Sequence, residues 1–288
     1  MNTPFKRIGL AFNPQIESAL TLAEEIAKFI KEKGAEVQGI GAIYERPLRQ
    51  SITANAFDVL IVLGGDGTML RASKLCAPAG IPILGINMGS FGFLMELTPQ
   101  DWKSYLPHLF EGDYRLESHM LLQAEHLRAD ELRENWLVVN DVVVCRGQYV
   151  RPIRLEAEVD GAHMASYVAD GLIASTPTGS TAYALAAGGA ILPPELRNIL
   201  IVPVAPHLSP DQPIILAEGA QVTIRVHTSH QAVVSVDGHM PVIMEDGDIV
   251  RVRSSEMDSL FVRFREPGYF YNNLNRFLEQ NPSLSSNR

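Results

Sequence analysis

Short apolar runs alternate with segments of helical spacing along the first third of the chain. The run 7–12 is strand-like and is ended by Asn13-Pro14. From residue 16 onward apolar positions recur at helical spacing, and Gly34 lies where a C-terminal helix cap belongs. These apolar positions are Ile16, Leu20, Ala23, Ile26, Ala27 and Ile30. The pattern predicts a strand over 7–12, then a helix that ends before Gly34.

The same alternation continues to about residue 86. A second strand is predicted over 37–40, and the nearly continuous apolar run 57–63 is typical of a parallel strand buried on both faces. A helix follows from about Met69, and 81–86 is the next strand. Strands that alternate with helices in this way predict an open, mostly parallel α/β sheet.

After about residue 118 the pattern is typical of antiparallel β-structure. Apolar and charged residues alternate from 153 to 159, with Ile153, Leu155, Ala157 and Val159 on one face. Asp160-Gly161 then supplies a hairpin turn, and residues 245–248 supply another. Further strands are predicted over 136–145, 199–204, 221–226, 232–236 and 249–253.

The predicted architecture therefore has three parts. Residues 1–118 form the α/β domain, and residues 119–258 form a β-rich, sandwich-like domain. Residues 259–288 return to pack on the first domain. A short helix is expected over 271–280 in this last segment, and the Ser- and Asn-rich end is expected to fray.

Composition and charge exclude several classes of protein. The chain has 288 residues and a net charge of -9, with Lys and Arg scattered. A protein that wraps nucleic acid needs clustered basic residues, which this sequence lacks. The first residues lead straight into a strand, and no stretch is long and apolar enough to cross a bilayer. We therefore expect a soluble cytoplasmic protein with neither nucleic acid nor membrane as a partner.

The chain has two cysteines, Cys76 and Cys145, which lie far apart in apolar surroundings. We expect free thiols packed as small hydrophobic residues, which fits a reducing compartment. A disulfide between them is the alternative. The lack of a CxxC spacing argues against a cysteine-based zinc site.

The strongest local motif is the loop Gly64-Gly65-Asp66-Gly67-Thr68, which follows a buried strand and precedes a helix. Open α/β sheets bind ligands at such positions. The glycines allow a sharp turn and a close approach to phosphate, and Thr68 is a plausible N-cap. A carboxylate beside phosphate implies that Asp66 accepts a hydrogen bond from a hydroxyl or holds Mg²⁺. The alternative interpretation is a tight structural turn with Asp66 facing solvent.

A second motif is the run 170–183, in which a strand ends in a Thr-Pro-Thr-Gly turn. A helix of small residues is predicted over 182–188. Its first turn would offer N–H groups and the Ser180 and Thr181 hydroxyls to a polar ligand. Tyr183 could lie against a flat ring. The alternative is an ordinary capped helix after a turn.

Both motifs resemble known signatures. The Gly-Gly-Asp-Gly loop at 64–67 resembles the one shared by NAD kinases, diacylglycerol and sphingosine kinases and ATP-dependent phosphofructokinases. Alone, this loop indicates a kinase-like phosphate site and does not identify the acceptor. The run 170–183 resembles the second signature of the NAD kinase family and is long enough to be specific.

Further segments resemble the same family in the same order. Residues 87–94 resemble its Asn-x-Gly-x-x-Gly-Phe loop. Asn140-Asp141, which the pattern places in mid-strand, resembles its Asn-Glu/Asp pair, with a purely structural role as the alternative. Segments 203–207 and 237–238 are weaker matches. The resemblance extends from about residue 8 to residue 269.

The resemblance implies an enzyme that transfers a phosphoryl group from ATP with Mg²⁺, or from polyphosphate, to the adenosine 2′-hydroxyl of NAD. Asp66 would be the general base, chiefly by aligning the hydroxyl. Asn140 and Asp141 would hold ribose hydroxyls, and Asp170 would hold the nicotinamide carboxamide. The phosphate loop would be Gly64, Gly65, Gly67 and Thr68. The remaining NAD-binding residues would be Gly67, Arg71, Phe93, Arg151, Ser180, Thr181, Ala182, Tyr183, Ala186 and His239.

Some of these assignments have alternatives. Arg71 and Arg151 are placed to meet phosphates, and a surface role is the alternative for each. Val168 stands where some family members have a basic residue, which affects phosphate contacts and the choice between NAD and NADH. His239 stands where many members have Gln, and it is equally well explained as a strand-end turn residue.

Two other functions remain open on the sequence alone. The first is a lipid kinase, which would need an apolar acceptor pocket and usually a membrane-facing surface. The second is a non-catalytic nucleotide-binding regulator on the same fold. The family resemblance also implies a homodimer or homotetramer assembled through the β-rich domain.

Overall fold

A computed structural model describes residues 4–89, 92–207 and 209–266, together with residues 268, 271 and 274. The chain divides into two compact units. Unit 1 comprises Met1–Ser118 and Met257–Arg288, and unit 2 comprises His119–Glu256. Apart from residues 271 and 274, the predicted helix over 271–280 and the tail beyond it lie outside the described residues.

Unit 1 is built on four parallel strands. They are β1 (Arg7–Phe12), β2 (Glu36–Ala42), β3 (Val59–Gly64) and β4 (Ile83–Asn87), in the order β2-β1-β3-β4. The helices are α1 (Glu17–Glu32), α2 (Arg46–Thr53), α3 (Asp66–Cys76) and α4 (Trp102–Glu111), with a 3₁₀ turn at Ala77–Ala79. The predicted open, parallel α/β sheet is confirmed.

The helices cover both faces of this sheet. Residues Val59, Ile61 and Leu63 of β3 share a core with α1 and α4. Leu60 and Val62, which point the other way, share a core with α2 and α3. Every residue of β3 is buried, as expected for a strand covered on both sides.

The first helix differs from the prediction in the exposure of one residue, Leu20. Its buried residues are Ala19, Ala23, Ile26, Ala27 and Ile30. Leu20, expected on the buried face, is 45% exposed, because that position falls outside the stripe that packs on the sheet. Gly34 has a φ of +82° just after the helix, where the left-handed conformation favours glycine.

Unit 2 consists mainly of antiparallel strands. They are β5 (Arg115–Arg128), β6 (Glu131–Val138), β7 (Asp141–Arg146), β8 (Ile153–Val159), β9 (Ala162–Ala169), β10 (Gly171–Ser175), β11 (Asn198–Val204), β12 (Ile214–Ala217), β13 (Val222–His227), β14 (Ala232–Val236), β15 (Val242–Met244) and β16 (Ile249–Arg263). Strand β5 begins, and strand β16 ends, with residues of unit 1. A single helical turn, α5 (Tyr183–Ala186), follows a 3₁₀ turn at Thr178–Thr181.

Two antiparallel layers form this unit. One is a six-stranded sheet in the order β12-β11-β10-β7-β14-β15, and the other pairs β13 with β16 and β8, and β8 with β9. Apolar residues of both layers, such as Val142 and Leu172 on one and Leu155 and Ile224 on the other, share one core. The predicted β-rich, sandwich-like architecture is confirmed.

The turn after β8 follows the prediction. Asp160 and Gly161 have φ values of +52° and +79°. Two consecutive positive φ values are the mark of a two-residue hairpin turn.

Three predicted elements of unit 2 are wrong in their bounds. The strand expected over 249–253 continues to Arg263 as β16. The strand expected over 136–145 is interrupted, because β6 ends at Val138 and β7 begins at Asp141. Asn140 therefore lies at a break and not in mid-strand. The helix expected over 182–188 is reduced to α5, and the turn before it is 3₁₀ because Ser and Thr hydroxyls bond back to its carbonyls.

Among the described residues, no helix is both long and apolar enough to cross a membrane.

Candidate active site

The Gly-Gly-Asp-Gly-Thr loop is the joint between β3 and α3. Helix α3 begins at Asp66, three residues earlier than predicted, and Gly65 is its N-cap with φ −122° and ψ −174°. The expectation that Thr68 caps the helix is wrong. Thr68 lies in the first turn, donates its own N–H to the Gly65 carbonyl at 2.9 Å, and is buried against Gly64.

The three glycines of this loop differ in their surroundings. None of them has a positive φ, so the predicted sharp turn does not require glycine. A Cβ on Gly64 would come within 2.5 Å of Thr68 Oγ1, so Gly64 is a packing requirement. A Cβ on Gly65 or Gly67 would meet no protein atom within 4 Å. These two positions leave space at a helix N-terminus, where free N–H groups and the helix dipole favour anions.

Asp66 is held by backbone amides of the segment that follows β4. Its Oδ2 accepts the N–H of Phe93 at 2.9 Å, and its Oδ1 accepts the N–H of Leu94 at 3.2 Å. Gly92 is packed so closely on the carboxylate that a Cβ there would collide with it. Ser90 and Phe91, inside the motif 87–94, lie outside the described residues.

The side chain of Asp66 keeps some exposure to solvent but is surrounded by protein. Burial raises its pKa, while the hydrogen bonds from Leu94 and Phe93 and the positive charge of Arg263 oppose that rise. Arg71 is exposed further along α3, and Phe93 is half-buried.

In unit 2 the Asn140-Asp141 pair is fixed from two sides. The carboxylate of Asp237 accepts the N–H groups of Val139, Asn140 and Asp141 at 3.0, 2.6 and 3.1 Å. The carbonyl of Asn140 in turn accepts the N–H of Thr176 at 2.8 Å. These bonds explain the break between β6 and β7, because the amides turn toward a side chain and away from a neighbouring strand.

The signature segment, residues 170–183, bonds to Val139 and Asn140. The Ser175 hydroxyl donates to the Asn140 carbonyl at 3.1 Å, and the Thr176 hydroxyl donates to the Val139 carbonyl at 2.6 Å. A Cβ on Gly179 would collide with the Asn140 carbonyl. The Asn-Asp pair and the signature segment are therefore one packed set.

Asp170 forms an ion pair with Arg146 that the sequence does not predict. Its Oδ1 lies 2.9 Å from Nε of Arg146, and its carbonyl accepts the Arg146 N–H at 2.9 Å. Tyr183, 46% exposed, lies close to this pair. Its pKa is raised by burial and then by the charges of Cys145, Asp141 and Asp170. The structure thus brings Asp141, Asp170 and Tyr183 together in unit 2.

The two hydroxyls expected to face a ligand do not do so. Ser180 Oγ is buried, donates to the Pro177 carbonyl at 2.6 Å and accepts the N–H of Leu192 at 2.9 Å. Thr181 Oγ1 donates to the Thr178 carbonyl at 3.2 Å. The prediction of free hydroxyls is wrong because both are used to build the turn.

The remaining predicted residues lie at the surface of unit 2. Ala186 and Arg151 are exposed, and Ala182 is half-buried. Val168 is 41% exposed, and its N–H donates to the Ser209 hydroxyl at 2.9 Å. His239 is exposed, and its N–H donates to the Val236 carbonyl at 3.0 Å in a strand-end turn.

Three residues of these networks were not assigned a role from the sequence. Asp237 entered the sequence analysis only within the weak match 237–238. An Asp-Gly pair after a strand marks a turn, and the φ of Asp237 is +49°. Arg146 and Arg263 carry no local signal. Both cysteines are free, as predicted. Within the described ranges, no group of three His, Cys, Asp or Glu side chains is placed to hold a metal ion.

Comparisons with known proteins show the family of the chain. Residues 43–114 match a family model described as the ATP-NAD kinase N-terminal domain, and residues 139–264 match the ATP-NAD kinase C-terminal domain. The chain is 37% identical to an NAD kinase of Heliobacterium modesticaldum over 91% of this chain and 95% of that one. It is 41% identical to an NAD kinase of Geobacter metallireducens over 74% and 76% of the two chains.

Two solved structures share the fold. One is yeast NADH kinase complexed with NADH, with a TM-score of 0.81, 23% identity and coverage of 99% of this chain and 91% of that one. The other is an NAD kinase from Archaeoglobus fulgidus in complex with ATP, with a TM-score of 0.74, 24% identity and coverage of 94% and 98%.

Proposed function

The chain belongs to the NAD kinase family, and from that premise we propose which of its residues carry out the phosphorylation of NAD. The reaction moves a phosphoryl group from ATP to the 2′-hydroxyl of the adenosine ribose and gives NADP. The comparisons give no support to the lipid kinase or to the non-catalytic regulator. The observation that carries the assignment is the Asp66 carboxylate, fixed by two amides at the N-terminus of a helix.

We assign Asp66 the task of receiving the proton of the 2′-hydroxyl. Each of its oxygens accepts one backbone N–H and keeps lone-pair capacity for a further hydrogen bond. Because burial raises its pKa, it is a somewhat stronger base than an exposed aspartate. A loose phosphoryl-transfer transition state needs little base strength, so its main contribution is to align the hydroxyl with the phosphorus.

The donor phosphates would bind at the N-terminus of α3. Gly65 and Gly67 leave space there, and the start of a helix presents backbone N–H groups and the positive end of the helix dipole to an anion. Arg71, exposed on the same helix, would contact a phosphate from the side. Mg²⁺ would be held chiefly by the phosphates of ATP and would neutralise their charge when bound. This arrangement fits a unit whose described residues offer no dedicated three-ligand site.

The acceptor would be held by the packed set in unit 2. Asn140 and Asp141 would bind ribose hydroxyls, because their backbone is fixed from both sides. Asp170 would accept the nicotinamide amide N–H while Arg146 holds its carboxylate in place. Tyr183 would stack on a base, with Ala182 and Ala186 beside it. In unit 1, Phe93 would border the nucleotide. Ser180 and Thr181 would act through their backbone only.

Several finer properties belong to the same proposal. His239 and Arg151 would meet the dinucleotide at its rim, and Val168 would weaken phosphate contacts relative to relatives with a basic residue. We propose a cytoplasmic homodimer or homotetramer, and the two free thiols support a reducing compartment. Use of polyphosphate or NADH is included in the test below.

The test is a matrix of ATP or polyphosphate against NAD or NADH, measured on the wild type and on Asp66→Asn. We expect the variant to bind NAD nearly normally by calorimetry and to lose orders of magnitude in turnover. Asp130→Asn makes the same chemical change in an exposed turn and should leave both quantities unchanged. Loss of NAD binding in Asp66→Asn would show that the role assigned here is wrong.

A further inference from the structure

Arg263 is a buried arginine at the end of β16, in unit 1. It is 7% exposed, and its Nε donates to Glu117 Oε1 at 3.0 Å. One terminal nitrogen donates to the Leu94 carbonyl at 3.1 Å and lies 3.4 Å from Glu96 Oε2. A buried guanidinium is costly unless it is paired and fully hydrogen-bonded. Nothing in the proposed reaction requires this residue to touch substrate.

Leu94 links this arginine to the catalytic carboxylate. Its N–H donates to Asp66 Oδ1 at 3.2 Å, while its carbonyl accepts the Arg263 hydrogen bond. Glu96 fastens the same segment further, because its Oε1 accepts the N–H groups of Phe264 and Arg265 at 2.9 and 3.2 Å. The amides that hold Asp66 are therefore anchored to the end of β16.

We propose that Arg263 is a positioning residue for Asp66: it fixes Leu94, so that the Leu94 amide holds the carboxylate in its productive orientation, and it contributes a positive charge. The proposal rests on the role proposed for Asp66. Arg263 itself contacts neither substrate nor the reacting atoms.

The charged groups around Asp66 and Arg263 support this positioning role. From β16, Arg263 faces Asp66, and from the segment 92–94 only backbone N–H groups do so. Glu96 and Glu117 pair with Arg263 at 3.4 and 3.0 Å, and Arg115 pairs with Glu117 at 2.7 Å. Arg265 pairs with Asp101 at 3.1 Å. Because Arg263 opposes the rise that burial causes in the Asp66 pKa, its charge favours the ionised base at neutral pH.

The experiment compares Arg263→Gln and Arg263→Lys with Arg265→Gln as the matched control. Arg265→Gln breaks contacts to the Glu96 carbonyl and Asp101 but leaves the Arg263–Leu94 bond in place. For Arg263→Gln we expect kcat to fall by about 10–100-fold, with the KM for NAD nearly unchanged. The acid limb of the pH profile should move to higher pH in Arg263→Gln and stay in place in Arg263→Lys and in the control.

Folding is checked by circular dichroism and thermal unfolding, because Glu96 and Glu117 lose a partner. If Arg263→Gln does not fold, Arg263→Lys tests the proposal, since lysine keeps the positive charge but lacks the planar guanidinium with its several N–H donors. We then expect a lower kcat with an unmoved acid limb, and a wild-type kcat would overturn the proposal.

The double variant Asp66→Asn with Arg263→Gln separates the positioning role of Arg263 from the proposed function of Asp66. We expect it to be no slower than Asp66→Asn alone, because the arginine acts through the carboxylate. Further slowing in the double variant, or an unmoved acid limb in a folded Arg263→Gln, would overturn the role of Arg263 alone. Normal turnover in Asp66→Asn would instead overturn the proposed function.

Discussion

The substitution Gly179→Ala tests whether the signature segment holds the Asn140-Asp141 pair. Gly179 is buried, and its missing Cβ is the space taken by the Asn140 carbonyl group and Ser175 Oγ. The obstructing carbonyl is backbone and is itself bonded to Thr176. Neither side can yield by a simple rotation of a side chain, so the turn must move away from Asn140.

The structure sets the size of the effect. Forcing one extra carbon into a packed site costs about 1–3 kcal/mol. The movement would also weaken the two hydrogen bonds from Thr176 to Val139 and Asn140, each worth about 0.5–1.5 kcal/mol. The sum of about 2–6 kcal/mol corresponds to a fall in Tm of about 4–24 °C, at about 2–4 °C per kcal/mol for a chain of this size. Displacement of Asn140 should also raise the KM for NAD about tenfold, equivalent to one lost hydrogen bond.

The assay combines thermal unfolding with initial rates at varied NAD. Gly219→Ala is the matched control in the same unit, because a Cβ there would meet no atom within 4 Å and Gly219 has no positive φ. Its Tm should change by no more than about 2 °C. A Gly179→Ala protein with the Tm and KM of the wild type would refute the packed arrangement itself.

Four further predictions rest on single residues. Asp237→Ala should raise the KM for NAD about tenfold with little change in kcat, because three backbone amides lose their acceptor; calorimetry checks the affinity. Asp248→Asn should lower the free energy of unfolding by about 1.5–3 kcal/mol at pH 7, since this carboxylate accepts hydrogen bonds from the partly exposed Arg128 and lies 2.8 Å from His126 Nε2. Burial alone would raise the pKa of Asp248, but its hydrogen bonds lower it below the pKa in the unfolded chain. The stabilisation is therefore fully present above the unfolded-state pKa and is lost as pH falls through the folded-state pKa; urea unfolding at several pH values measures this. Burial raises the pKa of Asp66, so kcat/KM should fall on the acid side at a higher pH than an ordinary aspartate would give. Burial raises the pKa of Cys76 to about 12, so a thiol reagent should modify it only after unfolding.

The sequence predicts most elements of the fold because their signals are local. Strand β3 lies between helices, so the whole run is apolar, and the Gly-Gly-Asp-Gly loop follows it directly. Both features are contained within about a dozen neighbouring residues. The sequence predicts the start of α3 three residues too late, because Thr68 packs on Gly64 and is not the N-cap of the helix.

The parts that could not be predicted depend on distant partners. The break at Asn140 is made by Asp237, which is 97 positions away in the chain. The Ser180 hydroxyl oxygen accepts a hydrogen bond from the Leu192 N–H, a contact that the turn sequence does not predict. Arg263 reaches Leu94 across 169 positions. Each is a polar contact between segments that only the tertiary fold brings together.

The Asp237 carboxylate has a consequence for how readily the acceptor binds. Loops that carry binding residues usually open easily, and their amide hydrogens exchange quickly with solvent. Here the amides of residues 139–141 are bonded to a carboxylate, and the carbonyls of 139 and 140 are bonded to Thr176. The segment is ordered before any ligand arrives. In the role proposed for Asn140 and Asp141, NAD would lose no affinity to the entropy of ordering this part of the backbone.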